Sequence, residues 1–139
     1  MLPPDPTNED FTLEYRSDQR LLIGRWLRPM SLPELQATYE SLLTAARAND
    51  NCRHWLLDVR RRGMGDEIAR EWFGREFSPR LLLTLNGPAF VAYFGTITHE
   101  VATTMAVLGT NIEQGAQTGA HYRYFNREDE ALAWLNKQP

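Results

Sequence analysis

Two short, nearly continuous apolar runs constrain the fold of this chain more than any other feature. The runs are His54–Val59 and Pro88–Phe94. Such runs are typical of strands that are buried on both faces in the middle of a sheet. Proline stands only at the first residue of the second run, where a strand tolerates it. The sequence therefore predicts a sheet whose central strands are covered by helices.

A hairpin and a helix are predicted before the first of these runs. Phe11–Tyr15 alternates apolar and polar residues, and a second extended run, Arg20–Arg28, follows a turn-like segment. Two such runs in succession indicate a β-hairpin. The helix has a clear start, because Ser31 stands at an N-cap position, Glu34 follows three residues later and Pro33 lies in the first turn. A stop is expected at the asparagine-rich stretch that begins at residue 49.

Helix and strand alternate in the rest of the chain. Asp66 is expected to cap a second helix, and Pro79 to interrupt it before a short helix at Arg80–Leu85. His121–Phe125 is predicted as the last strand, and Asn126 as the cap of a C-terminal helix. The second helix is expected to bury four apolar side chains: Ile68, Ala69, Trp72 and Phe73.

This alternation predicts an α/β fold. We expect a mixed sheet of about five strands with an N-terminal hairpin, covered by helices. Residues 96–119 have only weak helical spacing, through Val101, Met105 and Leu108. Residues 1–10 are rich in proline and acidic side chains, which indicates a flexible N-terminal arm before a single domain at 11–139.

The order of elements resembles that of the STAS/SpoIIAA-like domains, the small α/β domains of bacterial anti-sigma-factor antagonists and their relatives. The resemblance runs from Phe11 to Leu135. It depends on the end of the central strand, Leu56–Arg60, and on the closing strand and helix, Tyr124–Leu135. It implies a STAS-like fold and a regulatory or protein-interaction role without catalysis.

The chain departs from the STAS-like pattern where the family is regulated. Regulated antagonists carry a serine or threonine that accepts a phosphoryl group just after the central strand. Here that stretch is Asp58–Gly65, and no serine or threonine occurs from Ala45 to Phe77. The resemblance therefore implies a module that lacks the phosphorylation switch of its relatives.

The loop after the central strand is the best candidate for a binding site. In open α/β sheets, ligands bind beyond the carboxyl ends of strands. Glycines let backbone N–H groups approach a ligand, and arginine makes fork-shaped contacts with anions. The pattern favours a small anionic ligand such as a nucleotide, a phosphate or a lipid, and the alternative is a solvated loop in which one arginine pairs with Asp58 or Glu67. The candidate residues are Asp58, Arg60, Arg61, Arg62, Gly63 and Gly65.

Signals for catalysis are weaker. Asp58 would act as a general base only if burial raised its pKa, and pairing with a neighbouring arginine is the competing interpretation. The single cysteine, Cys52, is interpreted as a small apolar residue at a strand entrance rather than as a reactive thiolate. No H-E-x-x-H or G-x-S-x-G motif occurs. We therefore predict no catalytic residue, no metal site and no cofactor.

Charge and cysteine content limit the expected partners and location. The formal net charge is −3, with 15 basic and 18 acidic residues, which argues against binding nucleic acid. One cysteine cannot form an intramolecular disulfide, and this fits the reducing cytoplasm. No apolar run is long enough for a membrane span, and the first residues lack the basic and apolar regions of a signal peptide, so we expect neither feature.

Two functional hypotheses follow. The first is a non-enzymatic regulatory or protein-interaction module of STAS-like type. The alternative is a domain that binds a small anionic ligand through the Arg60–Gly65 loop. A homodimer is compatible with both, because a two-fold pair is the commonest assembly.

Overall fold

The structure is a computed structural model, and it describes residues 10–62, 67–95 and 120–139. Within these ranges, strands and helices alternate after an N-terminal hairpin, and one π-helical turn, Phe73–Phe77, joins two helices. The strands are β1 Phe11–Arg16, β2 Leu21–Trp26, β3 His54–Asp58, β4 Ala89–Phe94 and β5 Ala120–Phe125. The α-helices are α1 Leu32–Ala48, α2 Glu67–Trp72, α3 Ser78–Leu85 and α4 Glu128–Asn136.

The strands form one mixed sheet whose spatial order follows the chain, β1-β2-β3-β4-β5. β1 pairs antiparallel with β2, and the other three pairings are parallel. This confirms the predicted α/β fold with a mixed five-stranded sheet and an N-terminal hairpin. Because β2 to β5 run in one direction, their carboxyl ends meet at the same edge of the sheet, which is where the candidate loop leaves β3.

The capping signals of α1 act as predicted. The Ser31 hydroxyl accepts from the Glu34 backbone N–H, and the Glu34 carboxylate accepts from the Ser31 backbone N–H at 3.0 Å. A cap of this kind stabilises a helix by about 1 kcal/mol. The helix ends at Ala48 with Asn49 as its C-cap, and Asp50 and Asn51 then adopt left-handed conformations with φ of 64° and 55°. These conformations turn the chain towards β3.

The sheet has a different cover on each face. Side chains alternate along β3, so that Trp55 and Leu57 pack against α1, α2 and α3, while Leu56 packs against α4. We call the first surface the three-helix face and the second the α4 face. The same alternation places Asp58 on the α4 face. The sheet therefore separates two groups of residues that are neighbours in the chain.

The predicted burial of α2 is partly wrong. Ala69 is buried and Trp72 and Phe73 pack against the core, but Ile68 is 64% exposed. Successive helical residues are separated by about 100°, so a buried face centred near Ala69 and Phe73 leaves Ile68 at its edge. Because α2 has only six residues and continues directly into the π-helical turn, its buried apolar face is narrower than the sequence indicated.

Two further boundaries bear on the predictions. Asn126 is not the cap of the C-terminal helix, because Arg127 holds the N-cap position with extended backbone and α4 begins at Glu128. The acidic side chains in the first turn of α4 stabilise the helix instead, because they lie at the positive end of its dipole. Pro79 lies in the first turn of α3, as the predicted restart requires, and α3 ends at Asn86 with φ of 57°.

Some predictions fall on residues that the structure does not describe. These are the cap at Asp66, the weak helical spacing at 96–119 and the N-terminal arm up to residue 9.

Candidate functional site

The three arginines of the loop after β3 have three different environments. Arg60 turns back onto the α4 face, Arg61 is exposed, and Arg62 reaches the three-helix face. Gly63 and Gly65 lie outside the described residues. The predicted site residues that the structure describes therefore do not converge on one point.

Arg60 forms a two-pronged ion pair with Asp58. Its Nε lies 3.0 Å from Oδ1 and its Nη2 lies 2.8 Å from Oδ2 of Asp58, and its backbone N–H also donates to Oδ1. The guanidinium is 4.5 Å from the centroid of the Phe94 ring. The interpretation of this segment as a solvated loop predicted that one arginine pairs with Asp58 or Glu67, and Arg60 forms such a pair with Asp58.

The Asp58 carboxylate has a second arginine partner. Arg25, from β2, donates to Oδ2 of Asp58 at 3.0 Å and forms a further ion pair with Glu128 at 2.7 Å. Burial alone raises the pKa of Asp58, which is 4% exposed, but the hydrogen bonds from Arg60 and Arg25 outweigh it and lower the pKa below its ordinary value. A general base needs a raised pKa, so this geometry does not support that role for Asp58.

Arg62 occupies an aromatic and hydroxyl environment. Its Nη1 donates to the Tyr39 hydroxyl at 3.1 Å, and its guanidinium lies 4.4 Å from the centroid of the Trp26 ring. Such cation–π contacts fix an arginine side chain while its charge is kept. Arg62 is therefore held in place on the three-helix face by side chains of β2 and α1.

A cluster of tyrosines continues from Arg62 into the core. The hydroxyls of Tyr39 and Tyr93 are 2.9 Å apart, and the ring of Tyr93 stacks on that of Tyr124 with centroids 5.1 Å apart. Burial raises the pKa of Tyr93 well above its ordinary value, and burial raises that of Tyr124 to about 12. These hydroxyls are therefore neutral near pH 7. Tyr124 is partly buried and packs against the core.

A small cavity adjoins Arg62. It measures about 150 Å³ and lies between the β2–α1 connection, the first turn of α1 and the helix α2. Most of its walls are apolar, and Arg62 is the one charged side chain among the described residues that line it. We call this space the Arg62 cavity. Its lining residues are Pro29, Met30, Ser31, Leu32, Leu35, Arg62 and Ala69.

The sequence pointed to one residue of this cavity and missed its surroundings. Arg62 belongs to the predicted loop, whereas Trp26 and Tyr39 lie outside it. A signal was present in Tyr39, since a tyrosine on the buried face of a helix needs a partner for its hydroxyl. The partners lie 23 and 54 residues away along the chain, so no local pattern identifies them.

Other candidate chemistries have less support. Cys52 is buried, its thiol donates to the Arg20 carbonyl at 3.3 Å, and burial raises its pKa, which disfavours a thiolate. Within the described ranges, no three histidine, cysteine or acidic side chains are placed to hold a metal ion. No helix in the same ranges is both long and apolar enough to cross a membrane.

Comparisons with known proteins leave the family open: no family model matches the chain, and neither a curated protein nor a solved structure matches it.

Proposed function

We propose that this chain is a cytoplasmic, STAS-like regulatory module without enzymatic activity, and that it works by binding a small anionic ligand beside Arg62. The observation that carries the proposal is a fixed guanidinium in the wall of a cavity whose other described lining residues are apolar except Ser31. A site of this composition binds the apolar part of a ligand by burial and orients its charged group by hydrogen bonds.

The order of elements supports the STAS-like part of the proposal. The elements follow the order on which the resemblance depends: a hairpin, two helical crossovers between parallel strands, and a closing strand and helix. The missing phosphoacceptor between Ala45 and Phe77 suggests what the ligand does. An anion beside Arg62 would bring negative charge to the same loop that relatives modify by phosphorylation, and it would do so reversibly.

The proposed site contains fewer residues of the loop than the sequence predicted. Asp58 and Arg60 are paired with each other on the opposite face of the sheet, so neither is part of the proposed site. Arg61 is exposed and has no place in the cavity wall. The proposal therefore depends on Arg62 alone among the described arginines of the loop.

A thermal-shift screen tests the proposal. The probes are inorganic phosphate, ATP, benzoate and laurate, each titrated to millimolar concentration against the wild-type protein and against Arg62→Gln. Because ligands that bind only the native state raise the melting temperature by mass action, at least one probe should stabilise the wild type.

The matched control is Arg61→Gln, which removes the same charge one residue away. We expect the shift to persist in Arg61→Gln and to disappear in Arg62→Gln. A panel that produces no shift in the wild type, or shifts that Arg62→Gln leaves unchanged, would overturn the proposal.

A second candidate function is protein interaction, and two exposed apolar side chains favour it. Leu83 on α3 is 83% exposed and Ile68 on α2 is 64% exposed, and both helices belong to the three-helix face. Large exposed apolar side chains are common at contacts between subunits. This candidate predicts a homodimer that Leu83→Glu dissociates. Sedimentation velocity over a wide range of protein concentration would reject it if the wild type stayed monomeric throughout.

A further inference from the structure

We infer that the chain pairs with a second copy of itself through the helical segment Glu67–Leu85, and that the two segments pack antiparallel about a two-fold axis between Arg75 and Glu76. This inference rests on the second candidate function, protein interaction, and names the surface and the register of the contact. Three properties of the segment lead to it, namely its continuity, its exposed side and the order of its charges.

The segment behaves as one long helix. α2, the π-helical turn and α3 follow one another from Glu67 to Leu85 without a break, and the residues at both junctions have helical backbone. The Ser78 backbone N–H donates to the Phe73 carbonyl, five residues earlier, which is the bond that defines a π-helical turn. At about 1.5 Å per residue, the segment is roughly 28 Å long.

One side of this segment is buried, and the opposite side is exposed. Ala69, Phe77 and Leu81 pack into the core. Among the residues that the structure describes, Ile68 and Leu83 are the large apolar side chains that are exposed, and both belong to this segment. We call the apolar and charged residues of its exposed side the exposed stripe. These are Ile68, Glu71, Arg75, Glu76, Arg80 and Leu83.

The exposed stripe is complementary to itself when it is reversed. From its first residue to its last, the order is apolar, acidic, basic, acidic, basic, apolar. The intervals between these positions are three, four, one, four and three residues, which is the same series in both directions. A reversed copy therefore places every charge beside its opposite and each apolar end beside the other.

A two-fold axis requires this kind of pattern, because residue i of one copy then contacts residue j of the other and j contacts i. With the axis between Arg75 and Glu76, each of these two side chains lies beside the other type in the partner. Glu71 lies beside the partner's Arg80, and Ile68 lies beside the partner's Leu83. The contact consists of six pairs, and none of them brings together two like charges.

The ion pairs within one copy leave room for the partner. Arg75 pairs with Glu71 at 3.1 Å, and these side chains are 77% and 52% exposed. Arg80 pairs with Glu40 of α1, and both side chains are about half exposed. Exposed ion pairs contribute little to affinity, so the charges set the register and the apolar ends supply most of the binding free energy. One helix side buries less area than a standard interface, and we expect a dissociation constant of roughly micromolar order or weaker.

The test reverses one charge on each side of the axis. Arg75→Glu brings two acidic side chains together at the axis, and Glu76→Arg brings two basic ones together. Each variant alone should dimerise about tenfold or more weakly than the wild type, because like charges are then opposed twice in one contact. An equimolar mixture of the two should dimerise as the wild type does, since every reversed charge meets its opposite. Sedimentation velocity of the full chain measures all three samples.

The matched control is Arg47→Glu, which reverses an exposed charge on α1 outside the stripe and should dimerise as the wild type does. Far-ultraviolet circular dichroism is recorded for every variant. Because the reversed side chains are exposed, the melting temperatures should stay within a few degrees of the wild-type value. Recovery of the dimer in the mixture also requires that both variants are folded.

The other outcomes separate this inference from the candidate function on which it rests. If Leu83→Glu dissociates a wild-type dimer, but the single reversals remain dimeric or their mixture remains monomeric, the antiparallel register is wrong and the second candidate function stands. If Arg47→Glu weakens the dimer as much as Arg75→Glu does, the effect comes from net charge and the register is again wrong. If the wild type is monomeric at every concentration, both the inference and the candidate function are wrong.

Discussion

Arg60 and Arg62 are separated by one residue in the chain, yet they lie on opposite faces of the sheet and have different partners. Arg60 is matched by the carboxylate of Asp58 on the α4 face, where Arg25 and Glu128 complete a network of ion pairs. Arg62 is held on the three-helix face by Tyr39 and by an aromatic ring, next to a cavity. Two arginines of one loop therefore have different structural settings: Arg60 belongs to a network of ion pairs, and Arg62 packs against aromatic side chains beside a small cavity.

Among the variants that test this difference between Arg60 and Arg62, Asp58→Asn should lower the free energy of unfolding most. The change keeps the side-chain volume and removes the charge that Arg25 and Arg60 share. Removing one partner of a buried pair usually costs about 3–5 kcal/mol, and we expect about 2–3 kcal/mol here because the Arg60 side chain is 53% exposed. Urea unfolding measures the change. The control is Asp129→Asn, whose exposed pair with Arg127 should contribute less than about 0.5 kcal/mol. Equal effects of the two variants would contradict the network.

Tyr39→Phe should have the next largest effect, because one hydroxyl serves both Arg62 and Tyr93. Its loss leaves the buried Tyr93 hydroxyl without this partner and should lower the free energy of unfolding by about 1–2 kcal/mol. Tyr15→Phe on β1 is the control and should change it by less than about 0.5 kcal/mol. Binding of the anion that stabilises the wild type should also weaken in Tyr39→Phe, since the Tyr39 hydroxyl accepts from Arg62 and positions it. Unchanged binding would show that Trp26 alone holds the guanidinium.

The two faces should also respond to opposite extremes of pH. The pKa of Asp58 is lowered in the folded state, so its contribution to stability is full above the unfolded value, near pH 4, and is lost as the pH falls through the folded value. The difference in unfolding free energy between the wild type and Asp58→Asn should therefore shrink below about pH 4. A constant difference down to pH 2 would contradict the assigned ion pairs.

The contribution of the tyrosine cluster to stability should depend on pH in the opposite direction. Burial raises the pKa of Tyr124 to about 12, so its contribution is full below the unfolded value, near pH 10, and is lost as the pH rises towards 12. The unfolding free energy of the wild type, measured relative to that of Tyr124→Phe, should therefore fall between about pH 10 and pH 12. Ionisation of every tyrosine near pH 10 in an absorbance titration would disprove the buried cluster.

The smallest expected effect is that of Arg61→Gln. The side chain is exposed between the two structured arginines, so the free energy of unfolding should change by less than about 0.5 kcal/mol. A larger loss of unfolding free energy in urea would mean that Arg61 also has a partner that contributes to stability. The assignment of different roles to Arg60 and Arg62 alone would then be incomplete.

Local patterns predicted the elements well where a local cause sets them. The alternation of Phe11–Tyr15, the continuous run His54–Val59 and the capping box at Ser31 each fix a structure through neighbours in the chain. The exposure of Ile68 and the cap at Arg127 were missed, because they depend on how far a helix is rotated against the core and on where it docks.

The candidate site was predictable only in part. The sequence identified the arginine loop and the possible pairing with Asp58, which is two residues from Arg60. It did not indicate which arginine would face which side of the sheet. The direction of Arg62 depends on Trp26 and Tyr39, whose positions are set by packing of α1 on β2. The cavity likewise exists only where α2 approaches the first turn of α1.

The most direct measurement takes the anion that raises the melting temperature of the wild type most and compares its binding by calorimetry in Arg60→Gln and in Arg62→Gln. The two variants remove the same charge from the same loop, one on each face of the sheet. We predict that Arg60→Gln binds this anion as the wild type does, and that Arg62→Gln loses about tenfold or more in affinity. Loss of binding in Arg60→Gln, or equal affinity in the two variants, would contradict the assignment of structure to one arginine and of ligand binding to the other.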